Sequence, residues 1–213
     1  MFALPMVEQK EEQLIFRALG VFMRFGIKSV TMDDMAKKLG VSKKTLYLYV
    51  RDKDELVRKC LQLRCDMECQ HIDVITERDL NAIDEMFEIS QFISSMLREL
   101  HPSIHYDLEK YHSESFSQVM EQHMKHVYRV MSSNLKKGME EGLYRDDLNV
   151  DVITKIYIRK VDVVFDAEVF PPEEISFEEV YKIMFRYHIL GVASHKGIAY
   201  FDQQYDQHKQ LAL

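Results

Sequence analysis

The sequence predicts an all-α protein with a small three-helix head at its N-terminus and a larger helical body. Only 7 Gly and 4 Pro interrupt the 213 residues, and β-branched alternation is nearly absent. Apolar residues instead recur at three- and four-residue steps along most of the chain.

In chain order, Leu14, Ala18, Leu19, Phe22 and Phe25 build one apolar face of a first helix over about 10–25, which Gly26 ends. Thr31-Met-Asp-Asp34 has the form of a capping box and starts a second helix that runs to Leu39. Gly40-Val41 supplies a turn, and Ser42 is the N-cap of a short third helix over 43–50. Asp52-Lys-Asp-Glu55 repeats the capping pattern and opens a fourth helix to about Gln70. A periodic stretch over 80–100 follows, broken by Pro102, then a shorter piece through Tyr111. Longer helices are expected over 114–141, 151–168 and 176–194, the last opened by the box Ser176-Phe-Glu-Glu179. The tail from Lys196 is partly aromatic, with Tyr200, Phe201 and Tyr205, and a short helix is allowed at its end. By role we divide the chain into a head, 1–55, and a body, 56–213.

A composition of 46% hydrophobic and 30% charged residues excludes a disordered chain. No apolar run approaches the roughly 20 residues that span a bilayer, so no membrane partner is expected. The N-terminus lacks the basic start and long apolar core of a secretory signal. Three clustered cysteines without framework spacing argue against a stapled secreted fold, so the expected location is cytoplasmic. The net charge of −7 is unevenly placed. Residues 1–60 hold twelve Lys and Arg against eight Asp and Glu, and the remainder holds sixteen against twenty-seven. A basic head on an acidic body suits a chain that offers phosphate one end only.

A helix-turn-helix needs one helix to brace the unit across the DNA backbone and a second whose first residues enter the major groove. Residues 31–39, 40–41 and 42–50 supply those parts. In the third helix Leu46 and Val50 face inward, leaving Lys43, Lys44, Thr45, Tyr47 and Tyr49 outward. Lysines at the tip reach guanine acceptors or phosphate, threonine a base edge or thymine methyl, and tyrosine hydroxyls phosphate. Lys53 and Thr31 each stand at a helix start, where free N–H groups also favour an anion. As a plain solvated face or a wet-tipped core aromatic, these residues would carry no such role.

The stretch Leu14, Ala18, Phe22, Gly26, Thr31-Met-Asp-Asp-Met-Ala36, Gly40-Val-Ser-Lys-Lys-Thr-Leu-Tyr47 and Lys53-Asp-Glu-Leu56 resembles the DNA-binding domain of the TetR/AcrR family of bacterial regulators. The likeness covers about residues 12–60; the rest matches in architecture only. It implies a homodimer that reads a near-palindromic double-stranded operator, with repression as the default. It also implies a C-terminal ligand-binding and dimerisation domain whose small-molecule effector alters head spacing. Position by position it places phosphate contacts on Thr31, Tyr47 and Lys53. Base or phosphate contacts fall on Ser42, Lys43, Lys44, Thr45 and Tyr49. Val50 stands where the family usually has Phe, which trims the core packing there.

Elsewhere the residues are less specific. Cys60, Cys65 and Cys69 read as reduced structural thiols, with a redox switch as the alternative. His123 and His126 lie one turn apart, and His101 and His105 flank Pro102, but no third ligand is announced and no metal site is expected. No nucleophile elbow, phosphate loop or His-Glu-x-x-His motif is present, so neither catalysis nor a cofactor is expected. An effector pocket, if three consecutive helices surround one, would draw on Phe87, Phe92, Met96, Tyr106, Tyr111, Phe116, Met120, Met124 and Tyr128. The same stripe could equally be core. For dimerisation the candidates are Ile153, Ile156, Tyr157, Val161 and Val164 on one helix, with Val180, Met184, His188, Gly191 and Val192 on the next. These too could pack only within their own chain. Two other readings compete with a regulator: a helical protein-interaction module whose head has lost DNA binding, and an enzyme on a helical bundle.

Overall fold

The helices form where caps and periodicity place them, as a computed structural model shows for residues 6–211, with side chains described over 9–205. In order they are α1 (Met6–Phe25), α2 (Met32–Leu39), α3 (Lys43–Leu46), α4 (Lys53–Thr76) and α5 (Ala82–Arg98). Then come α6 (Ser103–Tyr111), α7 (Ser113–Glu140), α8 (Val150–Val164), α9 (Phe177–Val192) and α10 (His195–Leu211). Both capping boxes, Thr31 with Asp34 and Ser176 with Glu179, form with side chain and backbone reciprocally bonded.

α1 begins at Met6 rather than near Lys10, and four other boundaries differ from expectation, each for a local reason. α3 is regular only to Leu46, because Leu48 and Tyr49 donate to the carbonyls three residues back and tighten the chain into turns. α4 continues past Gln70 to Thr76, carried by the buried Ile72 and Ile75. α8 stops at Val164, where Asp166 takes the N–H groups of Glu168 and Val169 into a turn. The tail is a 17-residue helix, α10, anchored by the fully buried Phe201.

The chain divides into two compact units, Met1–Gln70 with Glu99–His123, and His71–Arg98 with Met124–Leu213. In the first unit α1 contributes Leu14, Ala18 and Phe22 to a core shared with Met35, Leu39, Leu46, Val50 and Leu56. Each of these Leu, Val, Phe and Met side chains contributes about 1.5–3 kcal/mol on removal from water, and Ala18 less. α6 belongs to this core through Ile104 and Leu108. Its buried Asp107 carboxylate accepts from the backbone N–H groups of Ile27 at 3.1 Å and Lys28 at 2.8 Å, which fixes the α1–α2 connection. Gly26 begins that connection at φ +76°, and a Cβ there would lie 2.8 Å from Ser103 Oγ. Only glycine suits the site.

In the second unit α9 is central, packed by α5, α8 and α10. Phe87 joins Phe185 edge-on at 5.7 Å and stacks on Phe201 at 5.0 Å. Buried Asn134 donates to Ala82 O and Glu85, accepts from Tyr144, and so leaves no polar edge of its amide exposed to apolar neighbours.

Candidate nucleic-acid interface and ligand cavity

The proposed DNA-facing residues all lie at helix starts or in the turn after α3, a position dictated by the caps. Thr31 caps α2, with its hydroxyl 3.1 Å from the Asp34 N–H it accepts from and 2.6 Å from the Asp34 carboxylate it donates to. Ser42 caps α3 by accepting from Thr45 N–H at 2.9 Å, and its Oγ lies 2.7 Å from Thr45 Oγ1. Both hydroxyls at the tip are thereby held. Lys43 and Lys44 project from the first turn of α3 into solvent. Lys43 pairs with Asp33 at 2.7 Å, an exposed contact of small worth. Leu46 and Val50 are buried, Tyr47 is exposed and Tyr49 half-buried.

Lys53 opens α4 and donates to Lys28 O at 3.4 Å, so its ammonium is tethered beside the α1–α2 connection. Burial lowers its pKa from the usual lysine value, opposed by the Asp107 charge. An ammonium half-withdrawn from water, at a helix N-terminus, is well placed for an anionic partner. Next to it, Arg51 donates from its backbone and its guanidinium to Glu55, which drops that carboxyl to about 2.

Three features of the head escaped the sequence reading. Leu48 is 72% exposed, the most exposed large apolar side chain among the described residues of the unit. Its place, two residues from both inward-facing Leu46 and Val50, was the available signal. Arg17 donates to the last carbonyl of α2, Leu39 O, bracing that helix from α1. Asp54 accepts from Ser115 at 2.7 Å and shares a 2.6 Å hydrogen bond with His112, contacts spanning some sixty residues that no local pattern announces.

The nine aromatic and methionine residues considered for a pocket are divided between the two units. Tyr106, Tyr111, Phe116 and Met120 belong to the first unit, and Phe87, Phe92, Met96, Met124 and Tyr128 to the second. Tyr106 and Tyr111 are exposed, and Phe116 packs against the α1–α4 core with His105 at its edge. Tyr128 donates to Asp151. A cavity of about 570 Å³ in the second unit uses two of the nine, Phe87 and Phe92. It opens among the end of α4, α5 and α10.

On α8 and α9 the faces read as intermolecular are largely interior. Tyr157, Val164, Val180, Met184, His188 and Val192 are buried within the chain, because this is the side on which α8 and α9 pack. Ile153 and Val161 are half-buried; Ile156 and Gly191 are exposed. The outward sides carry a second apolar stripe: Val152, Ile156 and Val163 on α8, with Ile183, Tyr187 and Leu190 on α9. These follow helical spacing, and Ile183 and Tyr187 are 64% and 69% exposed.

Neither the cysteines nor the histidines converge. Burial pushes the Cys60 and Cys65 thiols up to about 12, while Cys69 Sγ lies 3.6 Å from His123 Nδ1. His126 instead meets Asp73 at 2.9 Å. No group of three or more His, Cys, Asp or Glu able to hold a metal occurs among the described residues. No described helix is long and apolar enough to cross a membrane.

A capped bracing helix, a glycine turn in the left-handed region and a short helix with a basic tip define a helix-turn-helix protein. Residues 14–60 match the family described as bacterial regulatory proteins, tetR family. The HTH-type transcriptional regulator YvaF of Bacillus subtilis is 26% identical over 141 residues, which is 66% of this chain and 73% of YvaF. The transcriptional repressor KstR2 of Mycobacterium tuberculosis is 21% identical over 150 residues, 69% of this chain and 75% of its own. The structure of a Cytophaga hutchinsonii transcriptional regulator superposes with a TM-score of 0.70 at 17% identity, covering 87% of this chain and 99% of that one. Over residues 14–60 the chain carries the domain described for the tetR family of bacterial regulatory proteins, and the relatives it resembles are HTH-type transcriptional regulators.

Proposed function

We propose that the protein is a cytoplasmic, homodimeric repressor that reads a near-palindromic operator and releases it in response to a small molecule. The observation that carries this reading is the capped head itself, which presents Lys43 and Lys44 at the tip of α3 and Lys53 at the start of α4. In this reading Lys53, Thr31 and Tyr47 hold phosphate and set the register. Lys43, Lys44, Thr45, Tyr49 and Ser42 meet base edges or the flanking phosphates. The KstR2 relative is named a repressor, and its structure that of a ketosteroid transcriptional regulator, which supports repression and small-molecule response here.

The outward stripe of α8 and α9 supports dimerisation. Pairing Ile183 and Tyr187 with their copies across a twofold axis would cover the largest exposed apolar side chains of these helices. Two heads so joined bind half-sites one helical turn apart, about 34–36 Å. The effector acts by binding one head arrangement better than the other, and shifts the population by that difference.

The test is titration of labelled duplex across salt concentration, with sedimentation of the free protein. A dimer whose affinity falls steeply with salt supports the reading. A monomer, or weak binding that salt does not alter, would favour a helical interaction module with an inactive head.

A further inference from the structure

The cavity in the second unit has a chemical bias that points to one class of ligand. At about 570 Å³ it lies within the range of small-molecule sites, roughly 300–1,000 Å³. Its walls combine the apolar Ile75 and Leu80 with the rings of Phe87 and Phe92. His71 stacks on Phe92 with centroids 3.9 Å apart, which fixes the plane of that ring. Two carboxylates, Asp84 and Glu88, also line it, and no lysine or arginine does so among the described lining residues.

The two carboxylates differ. Glu88 is neutralised by an ion pair with Arg78. Asp84 has only neutral donors, Tyr200 Oη at 2.6 Å and Asn81 Nδ2 at 2.7 Å, and both bond the same oxygen, Oδ2. Its other oxygen accepts no hydrogen bond, and Asp84 forms no ion pair, among the described residues. Among the described residues, the cavity thus holds one carboxylate without a counter-ion beside fixed aromatic rings. A carboxylate and the face of a π-system both attract a cation more strongly than a neutral guest, and the carboxylate repels an anionic one.

We propose that this cavity binds an organic ammonium ion with an apolar body, its charge set against Asp84 and its body against Phe87 and Phe92. The proposal deepens the regulator reading by naming the chemical class of the effector, and it rests on that reading only for the consequence of binding. Asp84 supplies the charge, Tyr200 and Asn81 hold it in place, and His71 keeps Phe92 flat against the guest.

Calorimetric titration of the full chain without DNA tests it, with benzylammonium as probe and benzyl alcohol as the neutral match. Benzylammonium is expected to saturate one site per chain and to bind at least about tenfold more tightly than the alcohol. Asp84→Asn, which keeps the shape and both hydrogen-bond partners in reach, should abolish that preference. Phe92→Leu should weaken the ammonium about three- to tenfold while leaving Asp84 in place, and it serves if the first variant does not fold. Equal binding of the two probes, no benzylammonium binding up to about 10 mM, or an unchanged preference in Asp84→Asn would overturn the proposal. Since DNA is absent, such a failure leaves the DNA-binding reading intact; a bound ammonium with no operator binding would remove only the regulator.

Discussion

Lys53 carries two constraints at once, a hydrogen bond to Lys28 O and a place in the first turn of α4. A side chain so tethered suits a sequence-independent phosphate contact. Lys53→Ala should therefore weaken binding to every duplex alike and lower the slope of log K against log salt by about one unit. An unchanged slope would remove its phosphate role. His188 governs a different property. Burial, helped by Lys160, lowers its pKa from 6.5 to about 4, so it is neutral in the folded chain while the unfolded chain takes up a proton first. The unfolded state then binds more protons between those values, and stability falls as pH drops from 6.5 to about 4. The loss is on the order of 2–3 kcal/mol. Denaturant melts at stepped pH should show it, and His188→Leu should flatten that window. Glu55 and Glu178, both held near 2 chiefly by hydrogen bonds from arginine, act lower: their contribution is present above 4.5 and lost as pH falls towards 2.

At the scale of elements, local signals decided what was legible. Thr31-to-Asp34, Gly40 and Ser42 announce their own conformations, because a cap and a left-handed glycine depend on neighbours within three residues. Gly26 was legible as a helix end, though its near contact with Ser103 was not. Gly26→Ala should cost about 1–3 kcal/mol, from the positive φ and the displaced Ser103 together; a thermal melt within error of the parent would show that the turn relaxes freely. What the sequence hid depends on distant packing. Periodicity assigned an apolar face to α8 and α9, but each has two, and nothing local distinguishes Tyr157 and His188, which pack inside, from Ile183 and Tyr187, which do not. For the same reason the aromatic stripe from Phe87 to Tyr128 could not be sorted between two units. If the outward stripe makes the dimer, Tyr187→Glu should leave the fold intact and give a monomer on sedimentation, with weakened operator binding. A stable Tyr187→Glu dimer would assign the interface elsewhere.

For the whole molecule the charge asymmetry now has a structural counterpart. In the head, Lys43 and Lys44 stand at the tip of α3 and Lys53 opens α4, whereas the acidic excess lies in the remainder, where Glu85 and Asp84 serve internal contacts. Net charge alone, at −7, would have argued against a nucleic-acid partner. The central claim is that two such heads act together on specific DNA, and the most direct test is selection of bound sequences from random duplex by the full chain. The account predicts enrichment of a motif with two inverted half-sites about one helical turn apart, lost on replacing Lys43 and Lys44 together. Enrichment of a single half-site, or of none by a folded dimer, would contradict it.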